Sequence, residues 1–431
     1  MVKYYLYTIL AVLIFGVPAL SSRFGTQIDQ FAQMFAQAGD ELATVILSHS
    51  PKSIADLQAK YNSPVTNTSV LNLPSTVNKV RILLVPGHEP GFGGAEFGTL
   101  KEREMTVELA QDLQAYLNTN DHYQVFVTRD DNQWLQPFTD YFKNNWQDII
   151  DWEKASALDM AHRILIGSAT KPVSLVIHNS APNDVAYRLY GITKWANEND
   201  IDITIHIHFN DDSVHSGNIP GTFSGFAIYV PEHQYGNSTT SRALAETIFK
   251  RLSKYNPVSD LSAESTGLVE DPSLIAVGAH DTANAASMLI EYAYIYEAQF
   301  ASPDTKSLAI KDLAYQTYLG LEDFFDSNAA KALGNSYDTV VLPHAWMQVI
   351  AGKNIQNSDV FALQTALSLD GEYPPANKKL NECPRTGKLG PCTQAALQAF
   401  QTKYGITGET NSVGVKTLHV LNQNYGVANT L

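Results

Sequence analysis

Between residues 80 and 294 the chain repeats one arrangement: a short, almost wholly apolar run, then a stretch whose apolar residues recur at helical spacing. Runs at 80–85, 124–128, 173–177, 201–208, 224–230 and 287–294 read as strands, and 102–117, 241–254 and 308–325 read as helices. Several runs are too apolar for a sheet with one wet face. Their alternation with helices predicts an α/β fold, a mostly parallel mixed sheet flanked by helices. Sheets of this kind gather their chemistry at the carboxyl ends of the strands, so functional side chains are expected there.

The flanks read differently. Lys3, an apolar run from Tyr4 to Leu20, and then Ser21, Ser22 and Arg23 have the layout of an export signal over residues 1–23, with Ala19-Leu20-Ser21 as a cleavage site. The run also reaches the lower limit for spanning a bilayer, so retention as an N-terminal anchor is the alternative. Residues 24–78 read as a helical segment (Ile28, Phe31, Phe35, Leu42) and a linker, 79–330 as the main domain, 331–357 as a second linker, and 358–424 as a small all-α unit of three helices with its own core. Everything after residue 23 is therefore expected in the cell envelope, the periplasm or the medium, where conditions are oxidising and Cys383 and Cys392 are expected to pair.

Acidic residues outnumber basic ones by 44 to 29, for a net charge of -15, and no Lys/Arg cluster interrupts the chain. That excludes the electrostatic footprint of a nucleic-acid binder. Two cysteines exclude a four-cysteine zinc site, so any metal must be held by histidine and carboxylate.

Four candidates for such a site lie in order along the chain. The run at 80–85 stops at Pro86-Gly87 and delivers His88 at its carboxyl edge; a glycine-rich loop (Gly91, Gly93, Gly94, Gly98) follows, and Glu102 opens the next helix. On its own Glu102 reads as an acidic residue complementing a helix N-terminus. His206 and His208 share one face of a strand, and His208, nearer its end, is the one able to reach the crevice of His88. Glu291 interrupts an apolar strand, where an unpaired carboxylate costs several kcal/mol unless a metal or partner compensates it. Two histidines, one carboxylate and a second carboxylate nearby match a catalytic zinc site with a base beside it.

Pro86-Gly87-His88, Glu102 with its helix, Ile207-His208-Phe209-Asn210 and Leu289-Ile290-Glu291 resemble, in order, the motifs of the zinc-dependent N-acetylmuramoyl-L-alanine amidases, over about residues 79–300. The resemblance implies Zn2+ held by His88, Glu102 and His208, with Glu291 as catalytic base. It implies hydrolysis, by a zinc-activated water, of the amide between N-acetylmuramic acid and the first L-amino acid of the stem peptide. Glu104 competes with Glu102 for the ligand position, and His178 with His208; the family's apolar spacing favours Glu102, and Asp202 with the strand after His208 favours His208. Three residues depart from the pattern: Val85, Glu89 and His206. The stretch 132–194 is longer than usual, and its aromatics Trp134, Phe138, Tyr141, Phe142, Trp146 and Trp152 are expected to pack locally.

Residues 360–421 contain Gly387-Lys-Leu-Gly-Pro-Cys-Thr393, Ala396-Leu-Gln-Ala-Phe-Gln401 and Gly414-Val-Lys-Thr-Leu418, which resemble the three-helix peptidoglycan-binding module. Thr393 stands where an N-cap hydroxyl is wanted and Phe400 where the core needs an aromatic. Peptidoglycan is thus the expected partner, with membrane contact only through an N-terminal anchor. Two other readings keep the same residues: a zinc amidohydrolase or peptidase of similar layout, and a non-catalytic wall-binding adaptor.

Overall fold

The computed structural model describes residues 50–427 except 65–78, 172, 177, 179–180, 213–217, 327–335 and 353–354. The export or anchor run and the helical spacing of 28–42 lie outside the described residues. Among the described residues, no helix is long and apolar enough to cross a membrane.

The first described element is helix α1 (Ile54–Tyr61), closed by a capping box in which Ser53 and Asp56 exchange side-chain to backbone hydrogen bonds. It buries Leu57 and stacks Tyr61 on Phe325 at 4.4 Å. Strand β1 (Val80–Pro86) follows, then the short pair β2 (Glu96–Phe97) and β3 (Leu100–Lys101), helix α2 (Glu102–Leu117) and strand β4 (Tyr123–Val127). Three helices come next, α3 (Phe138–Asn144), α4 (Trp146–Leu165) and α5 (Asn183–Glu198). Then come β5 (Ile203–Asn210), β6 (Ala227–Pro231), α6 (Ser238–Tyr255), β7 (Leu268–Asp271), β8 (Ala286–Tyr294) and α7 (Pro303–Phe325). Helices α8 (Ser358–Asp370), α9 (Pro391–Lys403) and α10 (Val415–Tyr425) complete the described chain.

Six strands form one sheet in the order β4-β1-β5-β8-β6-β7. Every neighbouring pair is parallel except β6–β8, so the predicted mostly parallel mixed sheet is what forms. Strand alternation divides the labour. Ile82, Leu84, Ile203, Ile205, Ile207, Met288 and Ile290 pack in one cluster with residues of α2, α6 and α7. Leu83 and Val85 face the other way, into a cluster with Phe138, Phe142, Ile149, Tyr190 and Trp195. The aromatic-rich stretch thus packs locally, as α3, α4 and α5, on the sheet face that carries His206 and His208.

Two expectations fail. The described residues of 173–176 form a loop and no strand: Val173 is 78% and Leu175 68% exposed, and Val176 alone packs inward, against the cluster around Tyr229 and Leu289. Nor does the C-terminal unit have a core of its own. Phe361, Leu363, Leu397 and Phe400 belong to the same continuous cluster as α7, and Val341, Leu342 and Trp346 in the irregular stretch before α8 are buried with them. Cys383 and Cys392 form the expected disulfide.

Candidate active site

The site begins with the way β1 ends. Pro86 cannot continue the ladder as a donor, Gly87 lets the chain pass close under another ring, and His88 takes a left-handed backbone angle of φ 69°. A Cβ on Gly87 would fall 2.4 Å from His208 Cε1, so only glycine lets the two histidines face one space. Gly94, at φ +82°, leaves the same clearance on the far side, where a Cβ would meet His88 Cδ2 at 2.9 Å.

Arg129, two residues beyond β4, holds this turn from behind. It is 1% exposed; its Nε donates to Pro86 O at 3.1 Å, and its Nη2 donates to Gly87 O, to Arg103 O at 3.0 Å and to Thr106 Oγ1 at 3.2 Å. Burial lowers its pKa to about 10, still charged at neutral pH. An arginine closing an apolar strand was the sequence signal for this role, which the motif reading passed over.

His88, Glu102 and His208 come together: one donor atom from each lies within 4.8 Å of the others. Glu102 Oε1 stands 2.8 Å from His88 Nε2 and 3.1 Å from His208 Nδ1, and it accepts the Phe209 N–H at 3.1 Å. Glu102 Oε2 accepts the Ala95 N–H at 2.9 Å. Burial pushes the Glu102 carboxyl up, but His88 and His208 more than reverse this and hold it well below the usual carboxylate range. Burial also lowers the pKa of His208. An ionised carboxylate between two imidazoles is the donor chemistry of a divalent zinc-type cation. Among the described residues the buried His88 Nε2 makes no hydrogen bond despite its closeness to Glu102, as a ring nitrogen aimed at a shared third partner would. The residues therefore fit such a metal.

The rivals lie elsewhere. Glu104 pairs with Lys101 at 2.8 Å on the exposed side of α2. His178 bonds Asp271 across the cleft. Glu291 is the register partner of His208 on β8, so it shares that face of the sheet. Burial, and then the charges of Glu102 and Glu264, push its carboxyl well above the ordinary range, and among the described residues its Oε2 has no hydrogen-bond partner. Glu264, behind it, takes hydrogen bonds from Tyr229 Oη at 2.5 Å and Asn210 Nδ2 at 3.1 Å. His206 is kept neutral by burial, which lowers its pKa to about 3, and neither ring nitrogen has a hydrogen-bond partner among the described residues.

His88, His178, His206 and His208 line a cleft of about 500 Å³. Val185, Ala186, Leu189 and Ile192 of α5 wall one side, Ser273 to Ala276 form part of the lining, and His206 and Leu289 contribute from the sheet. At its rim Glu89 is 5% exposed, accepting from Arg188 Nε at 2.7 Å and Trp134 Nε1 at 3.2 Å. Two departures from the motif pattern, Glu89 and the long 132–194 stretch, are thus one feature: the carboxylate next to His88 anchors the segment that walls the cleft.

Solved structures similar to this chain include an N-acetylmuramoyl-L-alanine amidase from Clostridium difficile 630, at 15% identity and TM-score 0.35, covering 58% of this chain and 98% of that one. Ami1, an N-acetylmuramyl-L-alanine amidase from Mycobacterium smegmatis, is similar at 16% identity and TM-score 0.36, covering 57% and 97%. The amidase AmiC2 of Nostoc punctiforme is similar at 14% identity and TM-score 0.34, covering 57% and 96%. No curated protein sequence matches this chain. The family profile described as N-acetylmuramoyl-L-alanine amidase matches residues 82–322, from within β1 to within α7 and so over more than half of the chain. This protein therefore belongs to the N-acetylmuramoyl-L-alanine amidase family.

Proposed function

We propose that this family member is a zinc-dependent peptidoglycan hydrolase. It cleaves the amide between N-acetylmuramic acid and the first L-amino acid of the stem peptide. His88, Glu102 and His208 hold the metal and Glu291 is the base. The observation that carries the reading is the convergence of two imidazoles and an ionised carboxylate at the carboxyl edge of the sheet, with a second carboxylate on the next strand in register. Zinc, when bound there, supplies a Lewis acid for the scissile carbonyl and lowers the pKa of a water.

The remaining steps belong to the chain. Glu291 takes the proton of the attacking water and returns it to the departing nitrogen; burial pushes its carboxyl up, and a cation bound nearby would oppose that push. Glu102 keeps both oxygens engaged and stays charged. Arg129 fixes the Pro86-Gly87 carbonyls, so His88 is presented without reorganisation. The apolar wall of α5 reduces the water around the reacting bond.

Export follows from the Lys3 to Arg23 layout, with cleavage after the run or retention as an anchor. The C-terminal helices serve as a wall-binding module. Their packing against α7 makes them a fixed extension of the catalytic domain rather than a module on a loose tether. Incubating the purified protein with peptidoglycan should release new amino termini on L-alanine, and chelation should stop the release. New reducing ends, or cleavage within the peptide, would contradict the proposal.

A further inference from the structure

Across the cleft from the His88 side stands a buried carboxylate whose two oxygens have different tasks. Asp271, at the end of β7, is fully buried. Its Oδ1 accepts three hydrogen bonds, from Ser273 N at 2.7 Å, Ser273 Oγ at 2.9 Å and Leu274 N at 2.9 Å. These fix the plane of the carboxylate and aim Oδ2 at His178 Nε2, 3.0 Å away. Burial raises the Asp271 pKa, and the His178 and Ser273 bonds override this to hold the carboxyl below its usual value, so it is the acceptor. Nε2 is then the protonated nitrogen, and in the neutral ring Nδ1 carries the lone pair.

The ring is held a second time. It meets Tyr229 edge-on at 5.2 Å, and Tyr229 is the register partner of Leu289, two residues before Glu291 on the same face of β8. Tyr229 is fixed in turn through its hydroxyl on Glu264. Both histidines, His178 and His208, line the one cleft. A histidine with a chosen tautomer, a fixed plane and a place in the wall of a substrate cleft is better prepared than loop packing requires.

We propose that His178, oriented by Asp271, contacts the substrate, its Nδ1 accepting a hydrogen bond from a peptide N–H of the stem; this rests on the amidase reading above. Asp271 acts through His178 and is a positioning residue. Two variants of the full-length chain test the pair on a soluble N-acetylmuramoyl peptide. His178→Phe keeps the ring against Tyr229 but has no nitrogen. Asp271→Asn presents an N–H where the carboxylate accepted one and so reverses the tautomer. Each should raise KM about five- to tenfold, the scale of one hydrogen bond between uncharged groups. In both, kcat should stay within about twofold of wild type, the zinc content and Tm being unchanged. An unchanged KM in either variant, or a fall in Tm with KM intact, overturns the inference. If the wild-type chain cleaves no muramoyl peptide, the amidase reading falls and the inference with it; if wild type cleaves and both variants match it, this inference alone falls.

Discussion

Under the C-terminal helices, Asp312 of α7 meets Arg385 at 2.8 Å, the two side chains being only 1% and 2% exposed. Each polar atom of the pair has a partner: Asp312 Oδ1 accepts from Thr339 Oγ1 at 2.7 Å, Arg385 Nη1 donates to Thr365 Oγ1 at 2.9 Å, and Nε donates to Tyr255 O at 3.2 Å. The guanidinium lies over the rings of Tyr255 at 4.7 Å and Phe361 at 5.0 Å. At the carboxyl edge of the sheet Glu102 is also buried, yet around it His88 Nε2 and Glu291 Oε2 are left without a hydrogen bond among the described residues. A closed network joins two parts of a fold; an open one, at the end of strands and beside a cleft, is prepared for something to arrive. Desolvation alone therefore does not mark a functional site, nor does one orphaned atom, since Gln316 Oε1 beside Asp312 is another; several unpaired atoms gathered at the strand ends beside a cleft do.

The sharpest way to break that comparison is to change Glu291. Replaced by Gln it keeps its volume but cannot take a proton, so wall hydrolysis should fall by at least about a hundredfold with zinc content retained. The fold should not suffer, because burial already opposes the charged form of this carboxyl. Full activity in Glu291→Gln would make its orphaned oxygen an accident of packing. At the other pole, Asp312→Ala leaves Arg385 buried and unpaired and should cost about 3–5 kcal/mol of unfolding free energy by denaturant titration. Replacing both partners with apolar residues should recover most of that loss. A single variant as stable as wild type would show that the C-terminal helices are not fastened through this pair.

The two regions also differ in how far their sequences could be read. His88, Glu102 and His208 were legible because each sits at the end of a strand or the start of a helix, where local pattern alone sets position, and Glu102 could be told from Glu104 by the apolar spacing of α2. Arg129, Glu89 and Arg188 were not read as parts of the site, since their roles depend on partners 23 to 45 or 99 residues away along the chain, as in the Arg129–Thr106, Trp134–Glu89 and Arg188–Glu89 bonds. Strand β7 is four residues long, too short to show alternation, and the run at 173–177 has strand composition without a strand's neighbours. The C-terminal unit has helices of its own, but its apolar faces do not reveal that α7 is what they cover; that belongs to the tertiary contacts.

The claim that the open network at the sheet edge is a metal centre is tested most directly by counting zinc. Protein stripped with chelator and dialysed against buffered zinc should retain about one ion per wild-type chain, the number one three-ligand site holds. The His88→Ala chain, folded by circular dichroism, should retain less than about a tenth of that. Undiminished stoichiometric zinc in His88→Ala, or none in the wild type, would contradict the account.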